Sequence, residues 1–382
     1  VYGGVKGAGM KFIQIAGTKG KGSTSTYLAN MISAAGYKTG LFVSPHIRRE
    51  NERVSIDGAD IPSADLARLM RETMETGYFR RFFQVAMAYF AEQGVEVAVM
   101  ETGLGGRHDP ATKLPCAALV LTRIGMDHME ILGDTIQKIA LEKAAAIRLG
   151  GRVISAPQDD RVRHIVEATC FLRRARLSTV RAGDFCVHPD GSFSVDGVEN
   201  LRIQNPASMQ YVNAATAVRT AGLLREAGIF VPPEAVRAGL WRTVLPARQQ
   251  YVAGADVLVD GAHNADSLRF LHDTLRTRYA GRRKVLIAAA MREKDVSYFR
   301  EMAADQFERV YATQMAYDRC RPAAELAKVF QGAAPVEVCR DAADAYARAA
   351  AYARGTGAMI VCAGSLYLAG EMLDLLDETA GA

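Results

Sequence analysis

Short runs of β-branched and other apolar residues alternate with longer stretches of helical periodicity through nearly the whole chain, which predicts parallel sheets covered by helices. Phe12 to Gly17 (FIQIAG) reads as a buried strand, and Thr24 to Gly36 (TSTYLANMISAAG) as a helix closed by a glycine. TGLFVSP extends as a strand, followed by helices around SADLARLMRETME and RRFFQVAMAYFAEQG. Two more strands, Val95 to Thr102 and Ala117 to Gly125, precede a helix through TIQKIALEKAAAIRLG.

Between about Asp184 and Gln204 the pattern shortens to polar–apolar alternation with turn signals at PDG and VDG, which predicts a small hairpin insertion. Helical periodicity returns in YVNAATAVRTAGLLREAG and PPEAVRAGLW. ADVLVDGAHN (Ala255 to Asn264) then opens a second strand–loop–helix series, with further strands at KVLIAAAM, RVYATQM and AMIVCAG. A boundary near Leu245 to Arg248 follows, giving a larger domain over 1–245 with a mostly parallel sheet and a smaller α/β domain over 246–382.

The length of 382 residues suits two or three domains at roughly 150 residues each. With 49% hydrophobic and 23% charged residues the chain is globular in composition, which disfavours disordered and low-complexity architectures. Forty-seven basic against 42 acidic side chains leave a formal charge of +5, spread along the chain. That balance suits an anionic small substrate and gives no case for nucleic acid. Six cysteines lie far apart with no C-x-x-C pair, so neither a zinc site nor a disulfide framework is expected, and a reducing cytoplasm is the natural compartment. No run approaches the roughly 18 apolar residues of a membrane span, and VYGGVKGAGM lacks the blocks of a signal peptide.

Candidate chemistry begins at GTKGKGS, Gly17 to Ser23, where a strand gives way to a helix. Free backbone N–H groups and the helix dipole receive an anion at such a place. Gly17, Gly20 and Gly22 let the backbone close around phosphate, Thr18 lies in the same loop, and Lys21 can neutralise phosphate oxygens. The hydroxyl of Ser23 or Thr24 can reach a magnesium ion. The spacing is shorter than the common P-loop, because Ile15 stands six residues before Lys21. Glu101 ends an apolar strand, where a carboxylate is costly unless paired or bound to metal. His128 also follows a strand, at an edge where α/β sheets place ligands. Taken alone, Glu101 reads equally as a structural ion-pair partner, His128 as a loop residue and Lys143 as a solvated helix lysine.

This loop together with LFVSPH (Leu41 to His46), METGLGGRHD (Met100 to Asp109), IGMDHMEILG (Ile124 to Gly133) and VDGAHN (Val259 to Asn264) resembles one family, the folylpolyglutamate and dihydrofolate synthases of the Mur ligase superfamily. The likeness extends to GSLYLAGE at Gly364 to Glu371. It implies a P-loop ATPase domain followed by a Rossmann-like C-terminal domain, and an enzyme that joins glutamate to a folate with ATP as substrate. It also implies two magnesium ions, the first held by Ser23, Ser44 and Glu101 and the second by His128 and Lys143 as its carbamate. Catalytic roles then fall to Lys21, Glu101, His128 and Lys143, with Arg248, Asp260, His263 and Asn264 as nucleotide contacts from the second domain. Arg248 would reach the phosphates across the interdomain cleft. REKD at Arg292 to Asp295 resembles the family's D-K-D loop.

The family usually has Asn at Lys19, Glu at Gln84, L-D-A-T-N at His108 to Lys113, Gly and Lys at Ala145 and Arg148, and P-G-R where LPARQQ stands. Arg107 and Lys113 are expected to put positive charge at the acceptor mouth, which ranks tetrahydrofolate polyglutamylation first. Dihydropteroate is the second acceptor and a non-folate acid, as in related cell-wall ligases, the third. A monomer with small-molecule partners is expected.

Overall fold

A computed structural model describes residues 9–380; the segment VYGGVKGA, on which part of the signal-peptide reading rests, lies outside the described residues. The chain divides between Val244 and Leu245 into two compact units.

The first unit holds β1 (Lys11–Ala16), α1 (Lys21–Ala34), β2 (Thr39–Phe42), β3 (Val54–Ile56), β4 (Ala59–Asp60), α2 (Ser63–Glu72), α3 (Tyr78–Glu92), β5 (Val97–Glu101) and β6 (Cys116–Leu121). It continues with α4 (Met129–Leu132), α5 (Ile136–Ala144), β7 (Arg152–Ser155), α6 (Asp160–Leu172) and β8 (Arg176–Thr179). Then come β9 (Phe185–Val187), β10 (Phe193–Val195), β11 (Val198–Leu201), α7 (Ser208–Leu223) and α8 (Pro233–Arg242). Eight strands form one sheet in the order β4-β3-β2-β5-β1-β6-β7-β8, parallel except where β3 pairs with β2 and β4. The expected hairpin insertion is a three-stranded antiparallel sheet of β9 to β11.

Strand β1 runs through the middle of the large sheet, and all but its first residue are buried. A strand covered on both faces needs an unbroken apolar run rather than alternation, and FIQIA supplies it with a single polar exception, Gln14. The face of the sheet that carries Phe12 and Ala16 packs on Phe82, Phe83, Phe90 and Leu66 from α2 and α3 and on Ile139, Val162 and Val166 from α5 and α6. The opposite face, with Ile13 and Ile15, is covered by α1 and α7. Register sets the chemistry: Ile15 lies opposite Glu101 and Ala16 opposite Leu121, so β1, β5 and β6 deliver their following loops side by side at the carboxyl edge. Helix α1 starts at Lys21, three residues earlier than the apolar periodicity indicates, because the glycine-rich turn itself initiates it.

The second unit holds β12 (Gln250–Val252), β13 (Val257–Val259), α9 (Ala265–Thr277), β14 (Lys284–Ala288), α10 (Tyr298–Gln306), β15 (Arg309–Ala312), α11 (Ala323–Val329), β16 (Val336–Val338), α12 (Ala342–Thr356), β17 (Met359–Ala363) and α13 (Leu366–Ala380). Its sheet has the order β12-β13-β17-β14-β15-β16, parallel but for β12. Leu268, Leu271, Phe299, Met302, Phe330 and Val361 form much of its core. All six cysteines are free, and no helix among the described residues is long and apolar enough to cross a membrane.

Helices α1 and α8 approach so closely that a Cβ at Gly239 would fall 2.5 Å from the Met31 backbone. Gly239→Ala must therefore push the two helices apart, and we expect a loss of about 1–3 kcal/mol with helix content retained. Chemical denaturation of the first unit checks this; an unchanged midpoint would mean that the contact yields freely.

Candidate active site

Gly17 carries φ +144° and a Cβ there would fall 2.0 Å from Thr122 Oγ1. Gly20, with φ +86°, would place one 2.1 Å from Asn213 Oδ1. Only glycine fits either place. The turn between them is tied to the strand-β6 loop by Thr18 and Lys19 amides donating to the Arg123 carbonyl at 2.9 and 3.0 Å, and by the Thr18 hydroxyl at 3.1 Å from the Gly125 carbonyl. Gly20 precedes α1 without any side-chain cap, and the first turn of α1 carries no acidic residue. An uncapped helix start of this kind offers its N–H groups and dipole to an anion.

Four ionisable side chains gather beneath this turn. Glu101 is 2% exposed; its Oε2 accepts from the Ser44 amide at 2.8 Å and its Oε1 lies 3.9 Å from Lys21 Nζ. Lys21, expected in a polar loop, is the first residue of α1. Lys143 is not the solvated helix lysine that its segment allows. It is 4% exposed and donates to the Gly17 carbonyl at 2.8 Å, so the C-terminal turn of α5 is bonded to the phosphate turn. Burial pushes its pKa down to about 7, aided by Lys21 and opposed by Asp127 and Asp109. Asp109 accepts from the Gly103 and Ala111 amides, both at 2.9 Å. Burial pushes it up to about 6 against those bonds and the Lys21 charge.

The oxygen set fits a hard cation in part. Glu101 is a buried carboxylate beside the turn, and the Thr24 hydroxyl is buried with no hydrogen-bond partner. Ser23 is also buried on α1. His128 does not join them. It sits at φ +49° before α4, with its ring nitrogens 4.0 Å from Asp127 and 3.8 Å from Glu130. Among the described residues no three His, Cys, Asp or Glu are gathered as a metal cluster. His128 keeps its charged contacts within its own loop, while Lys143 bonds the Gly17 carbonyl.

Phe83 is fully buried and packs edge-on against Phe42 with ring centres 5.7 Å apart, and Gln84 accepts from the Thr73 hydroxyl. Both belong to the packing of α3. Arg107 is paired with Glu142 at 2.9 Å, which leaves Lys113 as the cation of that loop without an ion pair among the described residues. Pro110 and Ala111 are buried.

Sequence reasoning missed Gln14, Gln210 and Asn213. Gln14 bonds the hydroxyls of Thr102 at 3.1 Å and Thr112 at 2.7 Å, joining β1 to the loop after β5. Asn213, held by Gln210 at 3.0 Å, packs directly under Gly20. The signal was present: Gln210, Asn213, Thr216 and Thr220 are buried polar residues at helical spacing along α7.

In the second unit, Arg248 is flanked by Ala247 and Gln249 at φ +54° and +51°. Ala247 stands where the resembling family has glycine, and a left-handed alanine costs roughly 1–2 kcal/mol. Asp260 accepts from the Gln249 amide at 3.0 Å and the Ala262 amide at 2.6 Å, and burial pushes it up to about 6. Asn264 caps α9 through the Ser267 amide at 3.0 Å, and His263 Nδ1 lies 2.8 Å from the Gly261 carbonyl. Asp260 and Asn264 are thus engaged in shaping the loop that carries them. In the REKD segment, Arg292 Nε donates to the Cys320 carbonyl at 3.0 Å and Asp295 caps the Ser297 amide.

Residues 15–161 match the family model of the Mur ligase middle domain, and residues 247–366 that of the Mur ligase glutamate ligase domain. The chain is 32% identical over 311 residues to the dihydrofolate synthase/folylpolyglutamate synthase of Bacillus subtilis, covering 75% of this chain and 72% of that one. It is 28% identical over 374 residues to the Escherichia coli protein of the same name, covering 95% and 86%. It is similar to the solved folylpolyglutamate synthase of Mycobacterium tuberculosis complexed with ADP, with a TM-score of 0.85 and 26% identity over 97% of this chain and 91% of that one.

Lys143 sets a pH signature. From about pH 7 to 10.5 the unfolded chain holds a proton that the folded chain has shed, so its contribution to stability rises with pH across that window. Denaturation of the wild type and Lys143→Met should show a stability difference that shifts in favour of the wild type by about 1.4 kcal/mol per pH unit there. A constant difference would place the folded pKa near its ordinary value.

Proposed function

The chain belongs to the dihydrofolate synthase/folylpolyglutamate synthase family of Mur ligases, and on that premise we propose that it adds L-glutamate to a reduced folate at the expense of ATP. The observation that carries this reading is the gathering of Lys21, Glu101 and Lys143 around an uncapped helix start whose two glycines admit no side chain.

A carboxylate does not condense with an amine at neutral pH, because oxide would have to leave. Transfer of the ATP γ-phosphoryl group to an oxygen of the acceptor carboxylate makes an acyl phosphate. The glutamate amine then attacks the acyl carbon, phosphate departs and the amine releases its proton. The turn from Gly17 to Ser23 binds the phosphate chain through N–H groups, and Lys21 offsets charge on the transferring group. Asp109 holds the loop after β5 in place, and Gln14 fixes that loop to β1.

Ser23, Thr24 and Glu101 would hold a first magnesium ion, with Ser44 beside them. Magnesium there supplies positive charge to the phosphoryl oxygens. Lys143 we assign as the carbamate-forming residue: with a pKa near 7, about half of it is neutral at pH 7, and the neutral amine is the form that adds carbon dioxide. A carbamate in place of the ammonium keeps one N–H on Nζ for the Gly17 carbonyl and brings an anion to the same pocket. His128 would complete that position only by moving its ring from Asp127 and Glu130. In the second unit we assign Arg248, Asp260, His263 and Asn264 to the nucleotide as the family likeness gives them. The six unpaired cysteines suit a cytoplasmic location.

Release of ADP that requires both glutamate and acceptor tests the assignment, with tetrahydrofolate expected to act best. Two relatives carry both synthase names, so dihydropteroate is the second acceptor to assay. If neither acceptor, nor the diglutamate, stimulates glutamate-dependent ADP release from folded protein, the folate reading fails. Lys21→Ala should lower turnover by roughly 10²–10³-fold or more with an unchanged far-UV spectrum. Isotopically labelled bicarbonate should give a carbamate resonance in the wild type that is absent from Lys143→Ala; its absence from both would remove the carbamate.

A further inference from the structure

The second unit carries a cavity of about 530 Å³ at the edge of its sheet opposite to the loop of Asp260 to Asn264. The ends of α9 and α10 and the start of β14 line it, with four basic side chains, Arg276, Arg282, Arg283 and Lys284, against two acidic ones, Asp305 and Glu308. A cavity of this volume holds a metabolite rather than a single water.

Most of these charges are already matched. Arg283 grips Glu308 in two bonds of 2.6 and 2.9 Å, and Arg282 bonds Asp256 at 2.6 Å. Asp305 accepts from His272 and from Gln306, both at 2.7 Å. Two cations are matched only weakly. Arg276 comes no nearer than 3.9 Å to Asp305 and makes no hydrogen bond among the described residues. Lys284 is 4% exposed, and its ammonium makes one hydrogen bond, to the Arg282 carbonyl at 2.9 Å. Among the described residues no carboxylate comes within ion-pair distance of it.

A largely buried ammonium with one hydrogen bond and only the longer-range field of Asp305 to offset it is costly. The carbonyl ends of α9 and α10 favour positive charge nearby and explain Arg276. They do not explain why a lysine is enclosed beside an open volume. We propose that this cavity binds a small anionic metabolite through a phosphoryl or carboxylate group held by Lys284 and Arg276. The site lies at the opposite edge of the second unit's sheet from the loop after β13. An anionic occupant would oppose the lowering of the Lys284 pKa that burial causes.

The test uses the full chain carrying Lys21→Ala, which disables the phosphate turn, with orthophosphate, pyrophosphate and succinate as probes in titration calorimetry. Binding of at least one probe at millimolar concentration is expected, and a preference between the phosphates and succinate identifies the group recognised. Adding Lys284→Met or Arg276→Gln should each weaken that binding about tenfold or more, since a charge-assisted bond is lost. Arg276 is an exposed residue, so its variant keeps the fold even if Lys284→Met does not. Equal affinity in wild-type and Arg276→Gln cavities together with equal affinity for Lys284→Met, or no binding by any probe, would overturn the proposal.

Discussion

The bond from the buried Lys143 ammonium to the Gly17 carbonyl is the contact on which the first unit's site depends. It joins two segments far apart in sequence and brings a positive charge under a turn that must receive a polyanion. Burial and the neighbouring Lys21 weaken the lysine's hold on its proton, while Asp109 and Asp127 strengthen it. The result is a group poised between cation and amine near neutrality, which is the condition for modification as well as for charge balance.

Everything around that contact serves to hold the turn open. Strand register brings the ends of β1, β5 and β6 together, so the Glu101 carboxylate, the Gly17 carbonyl and Thr122 meet at one edge. Asn213 and Thr122 approach the turn closely enough to exclude any Cβ, and Thr18 ties it to Gly125. The backbone is therefore fixed by neighbours rather than by its own hydrogen bonds, leaving the first N–H groups of α1 for a ligand. Such preorganisation needs a core on both faces of the sheet, which α2, α3, α5 and α6 provide on one side and α1 and α7 on the other.

In the second unit, loop chemistry and the expected ligand chemistry fall on the same residues. Asp260 and Asn264 stand where a nucleotide contact is expected, yet their side chains bond the backbone of their own loop and the start of α9. Such bonds build the loop that presents Arg248 and His263. On the opposite edge of the same sheet, Lys284 and Arg276 are the groups that lack a full set of partners.

The sequence by itself determined the alternation of strands and helices, the boundary region near Leu245 and the place of the phosphate turn. Those features are local: apolar period, glycine spacing and strand length are written in consecutive residues. It also singled out Glu101 and Lys21, because a carboxylate ending an apolar strand and a lysine among glycines are conspicuous in one dimension. Tertiary structure decided the rest. Lys143 looks like a surface lysine until the Gly17 carbonyl covers it, and Asn213 looks like a helix polar residue until Gly20 lies against it. Arg107 reads as a free cation in sequence, and only the fold shows it beside Glu142. Burial, and with it every shifted pKa, depends on which distant segments meet, and a chain read residue by residue carries no record of that.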